Sequence, residues 1–201
     1  LPKKALFDQA GSAIHIFKDD EFSIDDILAA LNSKFVTEIS QQLSPTISFT
    51  TGDIRKYPIW KFDDTSIISR KCQNLSMNDW NFFETSWDFT TSPLLDGLYC
   101  DTTLQETYRM ARIHWSEMTL EMQRLEEENN RIFIEAYGLE DELTPDVPLE
   151  EITLTCNPRY RYRGNKSNEE LESLLLADTM KEFISYAVGC MFGRYSLDSL
   201  A

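Results

Sequence analysis

The chain has 201 residues, 42% of them hydrophobic, enough to bury roughly 70% of the surface that the unfolded chain would expose, which excludes wholesale disorder. Its formal charge of −15 disfavours a free-standing nucleic-acid binder with a uniformly basic surface. Four scattered cysteines without a Cys-x-x-Cys pair, two histidines and no Gly-x-Gly argue against a zinc site, a disulfide framework and a glycine-rich nucleotide loop, and fit a reducing cytosol.

No apolar run approaches the ~20 residues of a membrane-spanning helix and no signal-peptide pattern opens the chain, so a cytoplasmic protein that meets no membrane is expected. Leu1-Pro2-Lys3, without an initiator Met, reads like mid-protein sequence, and the chain is taken as a piece of something longer.

Residues 1–60 read as a mixed α/β segment. Lys4 to Asp8 and Ser12 to Phe17 are β-prone runs around a turn at Gln9-Ala10-Gly11. Ser23 has the chemistry of an N-cap, with Asp25 and Asp26 where the helix dipole favours anions. Ile24, Ile27, Leu28 and Leu31 follow at helical spacing, continued by Phe35, Val36 and Ile39. A third β-prone run, Thr46 to Thr50, precedes a turn at Gly52-Asp53 and the extended Tyr57-Pro58-Ile59.

Residues 61–103 form an aromatic-rich connecting segment, with helices capped by Asp64 and by Ser76 and a ring-pinned loop from Trp80 to Tyr99. Residues 104–201 read as a helical region. Leu104, Ala111, Met118, Leu125, Ile132 and Leu139 recur every seven residues beside Tyr108, Trp115, Met122, Asn129 and Ala136, which predicts a long helix over about 104–137 that stops at Gly138. Such a stripe packs on a neighbouring helix or on a second chain, with Asn129 setting register. Ile152 to Thr155 is β-prone, and Asn168 is placed as the cap of a final helix running to about 192. The fold class expected is α+β, a small mixed subdomain followed by a mainly helical region with two long helices.

Charge is unevenly spread, with −10 on residues 101–156 and zero on residues 157–201. The acidic runs Glu126-Glu127-Glu128 and Glu140-Asp141-Glu142 read as solvated helix faces, or as a surface that docks a basic partner or avoids nucleic acid.

No nucleophile, base and orienting acid assemble in the sequence. Asn157-Pro158-Arg159-Tyr160 departs from the Asn-Pro-Pro-aromatic string that grips a flipped base, because Arg159 stands at the second proline. Pro145-Asp146 lacks the Glu-x-Lys or Asp-x-Lys of a metal-dependent nuclease, and His15 and His114 read as packed or surface residues. No catalytic, cofactor-binding or metal-binding residue is therefore assigned. The candidate DNA-binding residues are Arg159, Arg161, Arg163 and Lys166, interleaved with Tyr160 and Tyr162, and a second cluster of Lys34, Arg55 and Lys56. On a strand the three arginines would share one face and suit a phosphate backbone; paired with this chain's own carboxylates they would be structural.

Several strings carry a resemblance. Leu31 to Val36, Leu43 to Thr46 and Thr51 to Ile59 resemble the end of the target-recognition domain of type I specificity subunits and fused restriction–modification methyltransferases. Phe83 to Phe89, Glu127 to Arg131, Tyr137-Gly138-Leu139 and, most specifically, Ser185 to Asp198 resemble the PglX-like adenine-specific DNA methyltransferases of BREX phage-defence systems and their type IIG relatives. The resemblance implies a parent enzyme that binds S-adenosylmethionine N-terminal to this chain and methylates the N6 of an adenine taken out of the base stack. It implies double-stranded DNA as partner through the parent, and other defence-system proteins. The present residues would be part of the recognition domain and a helical region that positions it. The rival from a different class is a non-enzymatic acidic coiled-coil scaffold or DNA mimic.

Overall fold

The computed structural model describes Ile14, residues 21–43 and residues 56–195. Among them there is no strand, and helix is the only regular structure: α1 (Ile24–Leu31), α2 (Lys34–Leu43), α3 (Thr65–Asn81), α4 (Leu104–Tyr137), α5 (Pro158–Arg161) and α6 (Asn168–Met191), with single 3-10 turns at Pro93–Leu95 and Leu149–Glu151. This overturns the α+β expectation. The β-prone runs before residue 18 and at 46–50 lie outside the described residues, Ile14 apart. The run from Ile152 to Thr155 has the alternation of a strand, and Ile152 and Leu154 are both fully buried. Its backbone finds no ladder, however: the N–H groups of Thr155 and Cys156 donate to the two oxygens of the Asp79 carboxylate, at 2.7 and 2.8 Å. A buried side chain satisfies the donors that a neighbouring strand would have taken.

Contacts divide the chain into two compact units, Leu1–Lys71 with Leu125–Asp146, and Cys72–Arg124 with Val147–Ala201. In the first unit, Ser23 opens α1 with a full capping box: its hydroxyl accepts from the Asp26 N–H, and the Asp26 carboxylate accepts from the Ser23 N–H at 2.8 Å. Asp25 receives Arg70 at 2.7 Å. Ala29, Ala30, Phe35, Val36, Tyr57 and Phe133 form the core, and the Phe35 and Tyr137 rings stack 3.7 Å apart. The final turns of α4 are fixed here by amides. Asn129 donates to the Ala29 carbonyl at 2.9 Å, and Asn130 accepts from the Lys34 N–H at 2.9 Å while donating to the Pro145 carbonyl at 3.1 Å. Gly138 ends the helix at φ +66°, with the Leu139 N–H reaching back to the Ile134 carbonyl and the Gly138 N–H to Glu135. That is the paired closure a left-handed residue permits, and glycine adopts it without a Cβ penalty.

In the second unit, Ala111, Trp115, Met118 and Met122 of α4 pack with Val147, Ile152, Leu154, Cys156 and Leu175. The two helices expected to be capped by Asp64 and by Ser76 are a single α3. The final helix starts one residue earlier than placed, because Ser167, not Asn168, is its cap: the Ser167 hydroxyl accepts from the Glu170 N–H and the Glu170 carboxylate accepts from the Ser167 N–H at 2.8 Å. No helix among the described residues is long and apolar enough to cross a membrane.

Candidate nucleic-acid interface

The basic run after Asn157 is built on a helix, not on a strand. Asn157 is an N-cap with Pro158 in the first helical position, where a missing N–H costs nothing. The Asn157 side-chain oxygen accepts from the Arg159 N–H at 3.1 Å, and its amide donates to the carbonyls of Leu149 and Ile152 at 2.7 and 2.9 Å. Buried to 2% exposure, this amide is committed to the local fold.

A helical turn sends the arginines to different partners. The guanidinium of Arg159 meets Glu150 at 3.0 Å and the Asn168 side-chain oxygen at 2.7 Å. The Arg161 guanidinium meets Glu182 at 2.7 Å and lies 3.7 Å from Asp178, with its carbon 5.5 Å from the centroids of both the Phe83 and Tyr162 rings. Burial works against the Arg161 charge, but its pKa is held above the ordinary value by the Glu182 hydrogen bond and the surrounding carboxylates. Tyr162 donates to Asp178 at 2.9 Å, and burial together with that carboxylate pushes its phenol up. The Asp178 carboxyl in turn lies below its usual range, through Lys181 and Tyr162 as hydrogen-bond donors. Arg159 and Arg161 are thus spent largely within the chain.

Arg163 and Lys166 differ. Arg163 is exposed and stacks over the Tyr160 ring at 5.0 Å, with no carboxylate partner among the described residues. Exposed Lys166 donates to the carbonyls of Tyr162 and Arg163 at 3.0 and 2.9 Å, so its ammonium is positioned without being neutralised. In the other unit, the Lys34 ammonium donates to the Asp146 carbonyl, and Lys56 is exposed. Arg55 lies outside the described residues. The shared strand face expected for three arginines is replaced by two internal ion pairs and a Tyr160–Arg163–Lys166 surface. The Asn157-Pro158 cap was the sequence signal for that outcome.

No group of three or more metal-ligating side chains occurs among the described residues. No protein-family model matches the chain. Two curated proteins do: the adenine-specific methyltransferase BrxX of Escherichia coli O9:H4 (strain HS), 37% identical over 198 residues, and the adenine-specific methyltransferase PglX of Lacticaseibacillus casei (strain Zhang), 32% identical over 203 residues. Each alignment covers 98% of this chain, which spans only 16% and 15% of those proteins. Over nearly its whole length the chain is therefore homologous to one segment of the adenine-specific methyltransferases BrxX and PglX, as the strings around Phe83–Phe89 and Ser185–Asp198 implied.

Proposed function

We propose that the chain is a DNA-recognition and positioning segment of a site-specific adenine N6 DNA methyltransferase of a phage-defence system. The observation that carries this reading is the 32–37% identity to two adenine-specific methyltransferases across 98% of the chain. In it, the parent protein binds S-adenosylmethionine and provides the pocket for an extruded adenine, and double-stranded DNA is the substrate. Residues of the present chain hold the duplex, and no chemical step is assigned to them. Arg163 and Lys166 are the phosphate contacts best supported by geometry, because neither charge is spent on a carboxylate. Such contacts set orientation and affinity, whereas base readout belongs to other groups.

The test uses the intact gene product. Methyl transfer from labelled S-adenosylmethionine to double-stranded DNA is expected, and it should be lost when residues 1–201 are deleted. Replacing Arg163 and Lys166 by Ala together should reduce the salt slope of DNA binding by about 1.8, from about 0.9 per phosphate contact. Absence of methyl transfer to adenine would overturn the enzyme assignment, and an unchanged salt slope would overturn the assignment of these two cations.

A further inference from the structure

The last helix of the second unit changes character along its length. The first turn of α6 carries Glu169 and Glu170, but residues 183–193 hold no charged side chain, in a chain that is 26% charged. Within that run Ile184, Val188, Met191 and Phe192 are exposed, the last two to 84% and 86%. Ile184 and Val188, with Phe192 at the C-cap, stand four residues apart, which is one of the rows that interlock when helices pack. Ala187 between them is exposed and small, so a neighbouring backbone can approach closely. Single exposed apolar residues are ordinary, whereas a contiguous uncharged row marks an interaction surface.

The chain's own continuation is directed elsewhere. Gly193, at φ +73°, closes α6 with its N–H on the Cys190 carbonyl at 3.0 Å and the Arg194 N–H on the Gly189 carbonyl at 2.9 Å. The reversal lays the Tyr195 ring on buried Tyr186 at 5.1 Å and edge-on to Phe89 at 5.4 Å. The same ring comes so near Gly189 that a Cβ there would lie 2.8 Å from it. Through residue 195 the chain therefore covers the inner side of α6 and leaves the Ile184–Phe192 row bare.

We propose that this row is the seat of an interface within one polypeptide, covered in the intact gene product by an apolar, uncharged helix from the part outside residues 1–201. Length identifies the occupant. The chain aligns over 98% of its residues yet spans only 16% and 15% of its curated relatives, so most of a parent of that size lies outside it and has to be packed against it. The chemistry agrees, because depletion of charge is the mark of the buried centre of an interface, and a row without charge offers nothing to a phosphate backbone or a basic partner. The inference rests on the length of the relatives and not on the DNA-recognition reading.

The test uses the intact gene product, purified alone, with photoreactive benzoylphenylalanine in place of Met191, whose exposure keeps the replacement out of the unit's own core. Irradiation should give a product of monomer mass in which position 191 is joined to residues outside 1–201, as read by peptide mass spectrometry. The same photoreactive residue in place of exposed Glu169, at the charged start of α6, should give little of it. Val188→Glu beside position 191 should lower the yield about tenfold or more, since an unpaired carboxylate is costly to bury, whereas Val188→Thr, of the same shape, should keep most of it. A product of twice the monomer mass would assign the row to a second copy and overturn the proposal. So would links confined to residues 1–201, the absence of any link, equal yields from positions 169 and 191, or a yield that Val188→Glu leaves unchanged. None of these readouts involves DNA or methyl transfer, so their failure is distinct from failure of the recognition reading.

Discussion

Arg161→Ala separates a structural arginine from one available for DNA. The Arg161 side chain is 19% exposed, its guanidinium lies 2.7 Å from Glu182, and it faces two rings at 5.5 Å. A hydrogen bond between charged groups contributes about 1.5–3 kcal/mol, and a partly desolvated cation over a ring adds roughly 0.5–1 kcal/mol. Glu182 is 41% exposed and regains water once abandoned, which discounts the sum. We therefore expect a loss of about 2 kcal/mol, or roughly 4–8 °C in melting temperature for a chain of this length. Arg163→Ala removes an exposed group with no carboxylate partner among the described residues and should change stability by less than about 0.5 kcal/mol. Urea denaturation followed by tryptophan fluorescence measures both. If Arg161→Ala melts with the wild type, or Arg163→Ala is the more damaging, the division of the basic cluster into spent and unspent charges is wrong.

Other consequences follow from buried polar groups. Asp79→Ala strands the N–H groups of Thr155 and Cys156 and should cost about 3 kcal/mol, with faster amide exchange at those two residues; retention of wild-type protection would refute the cap. Cys156 is 2% exposed and burial pushes its thiol up, whereas Cys100 is exposed, so a disulfide-exchange reagent should modify Cys100 in the native protein and reach Cys156 only on unfolding. The Tyr108 phenol is pushed up to about 12, first by burial and then by Glu172. A raised folded-state pKa gives stability that is present below the ordinary value near 10 and is lost as pH rises toward 12. Tyr108→Phe should therefore flatten the decline of stability over that window, and an unchanged alkaline profile would contradict it.

The elements legible in the sequence were those encoded by local spacing. The range of α4, the Gly138 stop and the Ser23 box all follow from residues within one or two turns of each other. What escaped depends on partners far apart in sequence. Asp79 anchors residues 76 and 77 positions away, a link that no window reveals, and it is why an apparently strand-like run needs no neighbouring strand. Ser76 has the chemistry of a cap yet sits inside α3, where Cys72 and Leu75 pack on the core of the second unit and Asp79 is needed just before the helix ends. The arginine run was read with strand spacing for a local reason: its alternation outweighed the Asn157-Pro158 signal of a helix start. Trp115 was legible only as a stripe residue.

The stripe on α4 bears on the scaffold alternative. A two-stranded supercoil keeps a strict seven-residue row at its seam, but a straight helix drifts by about 20° per heptad against that row. The buried face of α4 drifts in this way. Ala111, Trp115, Met118, Met122 and Leu125 are buried, but farther along Phe133 and Ile134 are buried while Ile132 is only half-buried and Ala136 is exposed. The buried part of the row is covered within the chain, by Ile152, Leu154 and Leu175 in one unit and by Ala29 and Phe35 in the other. Asn129 follows the same logic, since its amide donates to the Ala29 carbonyl at 2.9 Å. The buried part of the heptad pattern is thus accounted for by the chain's own two cores, while Leu104, Met110, Ile113 and Leu120 of α4 remain exposed.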